Sequence, residues 1–267
     1  MAFMQGLDPS HRSLPRNIHL TPAGDHMFCS VAKTCACDGG RNLTDQFYKV
    51  KTDLLHQDSQ RLALVGRLRD ILATHTEDPL KEWPAHVFDV LLQFACHGKR
   101  MPCLDGTCIS YSELLDVIHI LESIAAQLTH HQVVKDLSVS DAYGLLQVIA
   151  DNLDKIAKEK NVEDKDRFTL FSAHDSTIVP VMHSLGLPFH IVIPYASFVL
   201  FELYTDVSDG ASEDVYFRII HNGEDVTSRI SCFSQQSSSE TARFPFVLFK
   251  DFVDNDLKSR YDKVCNY

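Results

Sequence analysis

An α/β core preceded by a mostly helical subdomain is the fold class this sequence predicts, and three observations predict it. Apolar residues recur at helical spacing through much of residues 44–158. After the charged turn Glu159–Asp166 the pattern changes to short aromatic and β-branched runs of strand length. Gly186 and Asn222-Gly223 then punctuate the chain as a helix end and a tight hairpin do. With 267 residues, 45% hydrophobic and 23% charged, the chain can bury a substantial core and lacks the composition of a disordered one.

Residues 1–43 read as irregular, because Pro15, Pro22, Gly24, Gly39 and Gly40 break any period. Within them Asn17-Ile18-His19-Leu20-Thr21 has a short strand pattern. A helix is predicted from Thr44, as N-cap, to about Thr74, with Leu54, Leu55, Leu62, Val65, Leu68, Ile71 and Leu72 in its stripe. A second is predicted near Trp83–Phe94. A third covers Tyr111–Leu128, with Leu114, Leu115, Ile118, Leu121 and Ile124 on one face. These stripes read as core. His119, His130 and His131 read as solvated or structural histidines. The segment Cys96–Cys108, holding Gly98, Pro102 and Gly106, is a stapled loop.

Ser138–Lys158 is the fourth predicted helix, capped by Ser138 or Ser140. Arg167-Phe168-Thr169-Leu170-Phe171 has a buried-strand pattern, followed by a helix over Thr177–Leu185 that stops at Gly186. Strands are predicted at Ser197–Tyr204 and Val215–His221. An amphipathic helix is predicted near Pro245–Asp254, after a polar loop at Ser234–Thr241. The expected organisation is an irregular N-terminal part of the core (1–43), a helical subdomain with the stapled loop (44–137), and an α/β half (138–267).

The net charge of −11 and the lack of a Lys/Arg stripe exclude nucleic acid as the expected partner. No apolar run is long enough for a membrane span or a signal peptide. The eight cysteines, Cys29, Cys35, Cys37, Cys96, Cys103, Cys108, Cys232 and Cys265, do not follow zinc-ligand spacing. They are disulfide candidates, with free thiols or a metal as the alternative; no cofactor is called for. Cys103 and Cys108 enclose a short segment containing Gly106, which suits a local bridge. Asn42-Leu43-Thr44 is a glycosylation sequon, which with the cysteines points to a lumenal compartment. A cysteine-rich chain without an export signal is read as one whose beginning is missing; a reduced cytosolic protein is the other reading.

His174-Asp175 is where chemistry is expected. The pair falls at a strand-to-helix junction, where a helix N-terminus offers free N–H groups and positive potential to an anion. His174 would donate to phosphate. Asp175, protonated, would give its proton to a leaving alkoxide, and a nearby phosphate dianion would favour the protonated form. The structural alternative is that Asp175 and Ser176 cap the helix while His174 fills a turn.

The residues around the pair choose between these. Phe171-Ser172-Ala173-His174-Asp175-Ser176-Thr177 with Pro180 and Leu185-Gly186-Leu187 resembles the His-Asp segment of the histidine acid phosphatases. Phe198–Tyr204 resembles the family strand that follows, and Arg218–Gly223 the next strand and turn. The cysteine framework, with Asn222–Thr227 and Tyr261–Cys265, is similar to that of a family branch acting on the glycosaminoglycan–protein linkage region. The resemblance runs from about residue 18 to the end. It implies a partial histidine-phosphatase core, a mixed sheet flanked by helices. It also implies a phosphomonoester hydrolase of the Golgi lumen or secretory pathway, acting on the 2-phosphate of xylose on a proteoglycan linker.

In that family a histidine attacks phosphorus, arginines hold the phosphoryl oxygens, and the His-Asp pair binds phosphate and protonates the leaving oxygen. Only the last function carries over, to His174 for phosphate binding and Asp175 as proton donor. The Arg-His-Gly-x-Arg nucleophile block is absent from this sequence, and His11-Arg12-Ser13 does not replace it. The chain is therefore expected to be inactive alone. A pseudo-enzyme or a lumenal interaction module on the same scaffold is the alternative.

Overall fold

The computed structural model describes residues 37–73, 84–158, 168–205, 214–233 and 243–265. Among the described residues the first helix, α1, is Asp38–His56 and the next, α2, is Ser59–Leu72. The sequence predicts one helix here, starting at Thr44. The chain instead turns at Gln57-Asp58, where the Asp58 carboxylate accepts from the Gln60 and Arg61 amides and opens a new helix. Thr44 is buried inside α1, where its hydroxyl donates to the Gly40 carbonyl. Residues 38–43 are thus helical, not irregular. Gly39 and Gly40 serve close packing: a Cβ on Gly39 would lie 1.8 Å from the Val264 carbonyl oxygen, and one on Gly40 would lie 2.6 Å from Ser140 Oγ. The predicted Asn17–Thr21 strand and the Ser234–Thr241 loop lie outside the described residues.

Pro84 opens α3 (Pro84–Cys96), where its missing N–H costs nothing. A hairpin follows, β1 (Cys103–Leu104) with β2 (Thr107–Cys108), and Asp105 and Gly106 both take positive φ in its turn. Helix α4 is Tyr111–Thr129, started by a reciprocal capping box between Ser110 and Glu113. Its buried face is Leu114, Val117, Ile120, Leu121, Ile124, Ala125 and Leu128. Leu115, predicted in that stripe, is 55% exposed, because it lies one position off the 3.6-residue period of the buried set.

Helix α5, Gln132–Lys158, has 27 residues and begins before Ser138. The amides of Val134 and Lys135 donate to the His131 carbonyl, so the turn closes there, and Ser138 and Ser140 are buried in the helix rather than capping it. This helix joins two cores. Val134 packs with α1–α4, around Leu68, Leu72, Leu91, Leu121, Ile124 and Leu128. Val139–Ala150 pack with the second half of the chain.

That second half holds α6 (Asp175–Ser184), β3 (Val199–Thr205), β4 (Val215–His221), β5 (Glu224–Asp225) and β6 (Phe244–Pro245). β4 is central: it pairs antiparallel with β3 from Val199↔His221 to Thr205↔Val215, and its ends pair with β5 and β6. Asn222 and Gly223 both take positive φ in the β4–β5 turn, as that dipeptide predicts. Phe217 and Ile219 point inward and are fully buried, while Arg218 on the opposite face pairs with Glu202. The chain ends in one helical rod, α7 (Phe246–Asp251), a π-helical turn (Phe252–Leu257) and α8 (Lys258–Cys265), laid against α5. The architecture is an α/β half preceded by a helical subdomain, as the sequence predicts.

The predicted strand before the His-Asp pair is not formed. Residues 168–174 are irregular, and Phe168 and Leu170 are 51% and 48% exposed. A strand needs a paired neighbour, and none is present for this segment among the described residues. Phe171 alone packs against the core.

Candidate active site

His174 is the N-cap of α6 and Asp175 its first residue. The Thr177 and Ile178 amides donate to the His174 carbonyl, which closes the first turn and leaves the His174 side chain with no cap hydrogen bond. Asp175 Oδ1 accepts from the Ser176 amide at 2.7 Å. Both side chains are exposed, so the pair stands in solvent at the positive end of a ten-residue helix. Buried Thr177, Pro180, Val181 and Met182 anchor that helix on the core.

Sequence reasoning missed a second carboxylate. The pKa of Asp89, an exposed residue of α3, is raised from its ordinary value, first by partial desolvation and then by the negative charge of Asp175. It comes from the helical subdomain, far away in sequence, and no spacing rule connects it to the His-Asp pair.

The cysteines divide. Cys37 is bonded to Cys265, 228 residues apart, tying the start of α1 to the end of α8. Cys103 is bonded to Cys108 across the β1–β2 hairpin, as the short enclosed loop predicts. Cys96 and Cys232, read as disulfide candidates, are free among the described residues. Cys96 lies at an exposed helix end. Cys232 is half-buried beside a cavity of about 370 Å³ lined also by Ser231, Leu248, Asp251, Phe252 and Asp256, and burial pushes its thiol up to about 12. Cys29 and Cys35 lie outside the described residues. Asn42 is exposed on α1 and accepts from Gln46, on a helix rather than in a loop. No helix among the described residues is long and apolar enough to cross a membrane.

A model of the Histidine phosphatase superfamily (branch 2) matches residues 34–222, and the chain belongs to that family. Relatives within it narrow the likeness. The chain is 31% identical over 181 residues to 2-phosphoxylose phosphatase 1 of Xenopus tropicalis, covering 67% of this chain and 35% of that protein. It is 25% identical over 235 residues to 2-phosphoxylose phosphatase 1 of Homo sapiens, covering 86% and 46%. The Danio rerio protein of the same name is 26% identical over 208 residues, covering 68% and 41%. The chain thus spans less than half the length of these curated relatives.

Proposed function

We propose that these residues form the proton-donating half of a phosphomonoester hydrolase acting on the 2-phosphate of xylose in the glycosaminoglycan–protein linkage region. What carries this reading is the His174-Asp175 pair, exposed at the N-terminus of α6 in a chain of this family. His174 and the first amides of α6 hold the phosphate, and Asp175 protonates the sugar oxygen as it leaves. A sugar alkoxide is a poor leaving group, so the proton matters most at that step. The nucleophile and the phosphate-binding arginines of the Arg-His-Gly-x-Arg block are not in this sequence. On this reading residues 1–267 alone turn over phosphomonoesters at background rate. The Cys37–Cys265 and Cys103–Cys108 bonds suit an oxidising compartment, which fits the Golgi lumen or secretory pathway.

Two measurements test the proposal. Inorganic phosphate added to the isotope-labelled chain should shift the His174 ring and the Ser176 and Thr177 amides, and His174→Ala should abolish those shifts. Unmoved signals would remove the phosphate-binding assignment. In an acid-pH assay with an aryl phosphate, turnover that disappears in His174→Ala would show that the chain is active without the missing block.

A further inference from the structure

We infer that His183 is a pH-sensitive lock holding the helix that carries the His-Asp pair to the helical subdomain. This inference does not depend on the proposed phosphatase chemistry. His183 lies on the last turn of α6 and is 7% exposed. Its Nδ1 is 2.9 Å from the Leu187 carbonyl oxygen, which only accepts, so Nδ1 carries the proton. Nε2 is buried with no hydrogen-bond partner among the described residues. The pocket is therefore fitted to the neutral ring.

The ring also holds the chain that follows. Gly186, at φ +99°, turns α6 back on itself, with its own amide and that of Leu187 donating to the His183 and Met182 carbonyls. The segment then crosses to the helical subdomain. There the Phe189 amide donates to Thr129 Oγ1 at 3.0 Å, and the Phe189 ring meets Phe47 edge-on with centroids 6.0 Å apart. His183 packs against the same Phe189 ring at 5.4 Å and 79°. One imidazole thus contacts both Leu187 and Phe189, the first residues of the crossover.

Protonation would place a proton on Nε2 where nothing accepts it. Among the described residues the titratable groups that act on His183 are Lys135 of α5, Arg260 of α8 and His130 at the end of α4, and none of them is an acid. Burial lowers the His183 pKa from its ordinary value; the hydrogen bond to Leu187 opposes it, and Lys135, Arg260 and His130 add smaller lowering effects. In the unfolded chain the ring titrates near 6.5. The stabilising contribution of neutral His183 is therefore complete above about pH 6.5 and is lost as pH falls toward the lowered folded value. The loss is at most about tenfold in the folded-to-unfolded ratio for each pH unit. The first contacts released are those of Leu187 and Phe189.

Imidazole-labelled chain 1–267 followed by NMR from pH 8 to 4.5 tests this directly. The His183 ring should titrate well below the solvent-exposed histidines, and the Leu187 and Phe189 amides should lose exchange protection as it does. Denaturant unfolding at pH 7.5 and 5.5 gives the second reading. His183→Asn, which keeps a donor near Nδ1 but cannot titrate, should lose less in folded-to-unfolded ratio than the wild type, by up to about tenfold. A His183 ring titrating at or above the ordinary histidine value would overturn the inference, as would identical pH dependence in both proteins. If the variant does not fold, the wild-type titration and exchange data decide alone.

Discussion

The two cores that share α5 are filled in different ways. The helical subdomain is aliphatic, and its largest fully buried side chains are Leu68, Leu72, Leu91, Leu121, Ile124 and Leu128, each on the stripe of its own helix. The α/β half is aromatic: Phe217, Phe233, Phe244, Phe246, Phe249 and Phe252 meet in one cluster. Phe217 is stacked on Phe249 at 4.2 Å and 19° and also neighbours Phe201, Phe233 and Phe246. These rings come from three strands, a turn and the C-terminal rod. A helical stripe spreads its burial over many modest residues, whereas the aromatic cluster concentrates burial in a few large ones from distant segments. The first core tolerates trimming better, and the second depends on each ring.

Substitution in each core is the most demanding test of that contrast. Phe217→Ala is expected to cost about 4–5 kcal/mol, from lost transfer energy, cavity and ring stacking together. Leu121→Ala in the helical core should cost about 3 kcal/mol. Denaturant unfolding measures both, and equal costs would end the distinction. Amide exchange adds a sharper reading: Phe217→Ala should deprotect β3, β4 and α7 before α4.

The two disulfides make the next comparison. Cys37–Cys265 closes nearly the whole chain and joins α1, which packs mainly in the aliphatic core, to the rod of the aromatic one. Replacing both residues by Ser should cost about 4–5 kcal/mol, against about 2 kcal/mol for Cys103–Cys108, whose loop is short. A larger loss at the hairpin would mean that unfolded-chain entropy is not what the long bridge removes.

Charge in the shared helix gives a smaller effect with a defined sign. Asp141 of α5 is buried, and burial raises its pKa to about 7. A raised carboxyl pKa favours the fold in acid. The contribution is complete below the ordinary 3.8 and is lost as pH rises to about 7. Asp141→Asn, neutral at every pH, should match the wild type near pH 4 and be more stable by about 1–3 kcal/mol at pH 8. The trend is opposite to that of His183, so a single pH scan separates the two groups. A stability difference that does not change with pH would show that Asp141 is ionised in the fold. Leu115→Gln marks the bottom of the scale, because a side chain 55% exposed lies outside the aliphatic core. Its cost should stay within about 0.5 kcal/mol, and a larger loss would place Leu115 in the core after all.

The parts of the fold legible in the sequence are those set by neighbours a few residues apart. Periodicity located α3 and α4 almost to their ends, and alternation with Asn222-Gly223 located β4 and its turn. Cys103 and Cys108 were read correctly because a five-residue separation needs only a tight turn. The His-Asp pair was legible as a motif at a strand-helix junction; the structure puts it at the start of α6 but after an irregular segment, not a strand. Where local rules erred, a longer-range contact had won. Thr44 and Ser138 have good capping side chains, yet each is enclosed by packing that extends its helix past it.

By itself, then, the sequence determined an α/β half preceded by a helical one, the presence of the His-Asp pair and membership in its family, since each is a pattern of residue types along the chain. The tertiary structure alone decided that Cys37 meets Cys265, because the two come together only when α1 and α8 both pack on α5. It also decided that Phe168 and Leu170 remain exposed, since an apolar run becomes a buried strand only beside a partner. And it set the charge of Asp175 to act on Asp89 of α3 and packed the Phe189 ring against both His183 and Phe47, because each arrangement joins segments of the two cores that lie far apart in the chain.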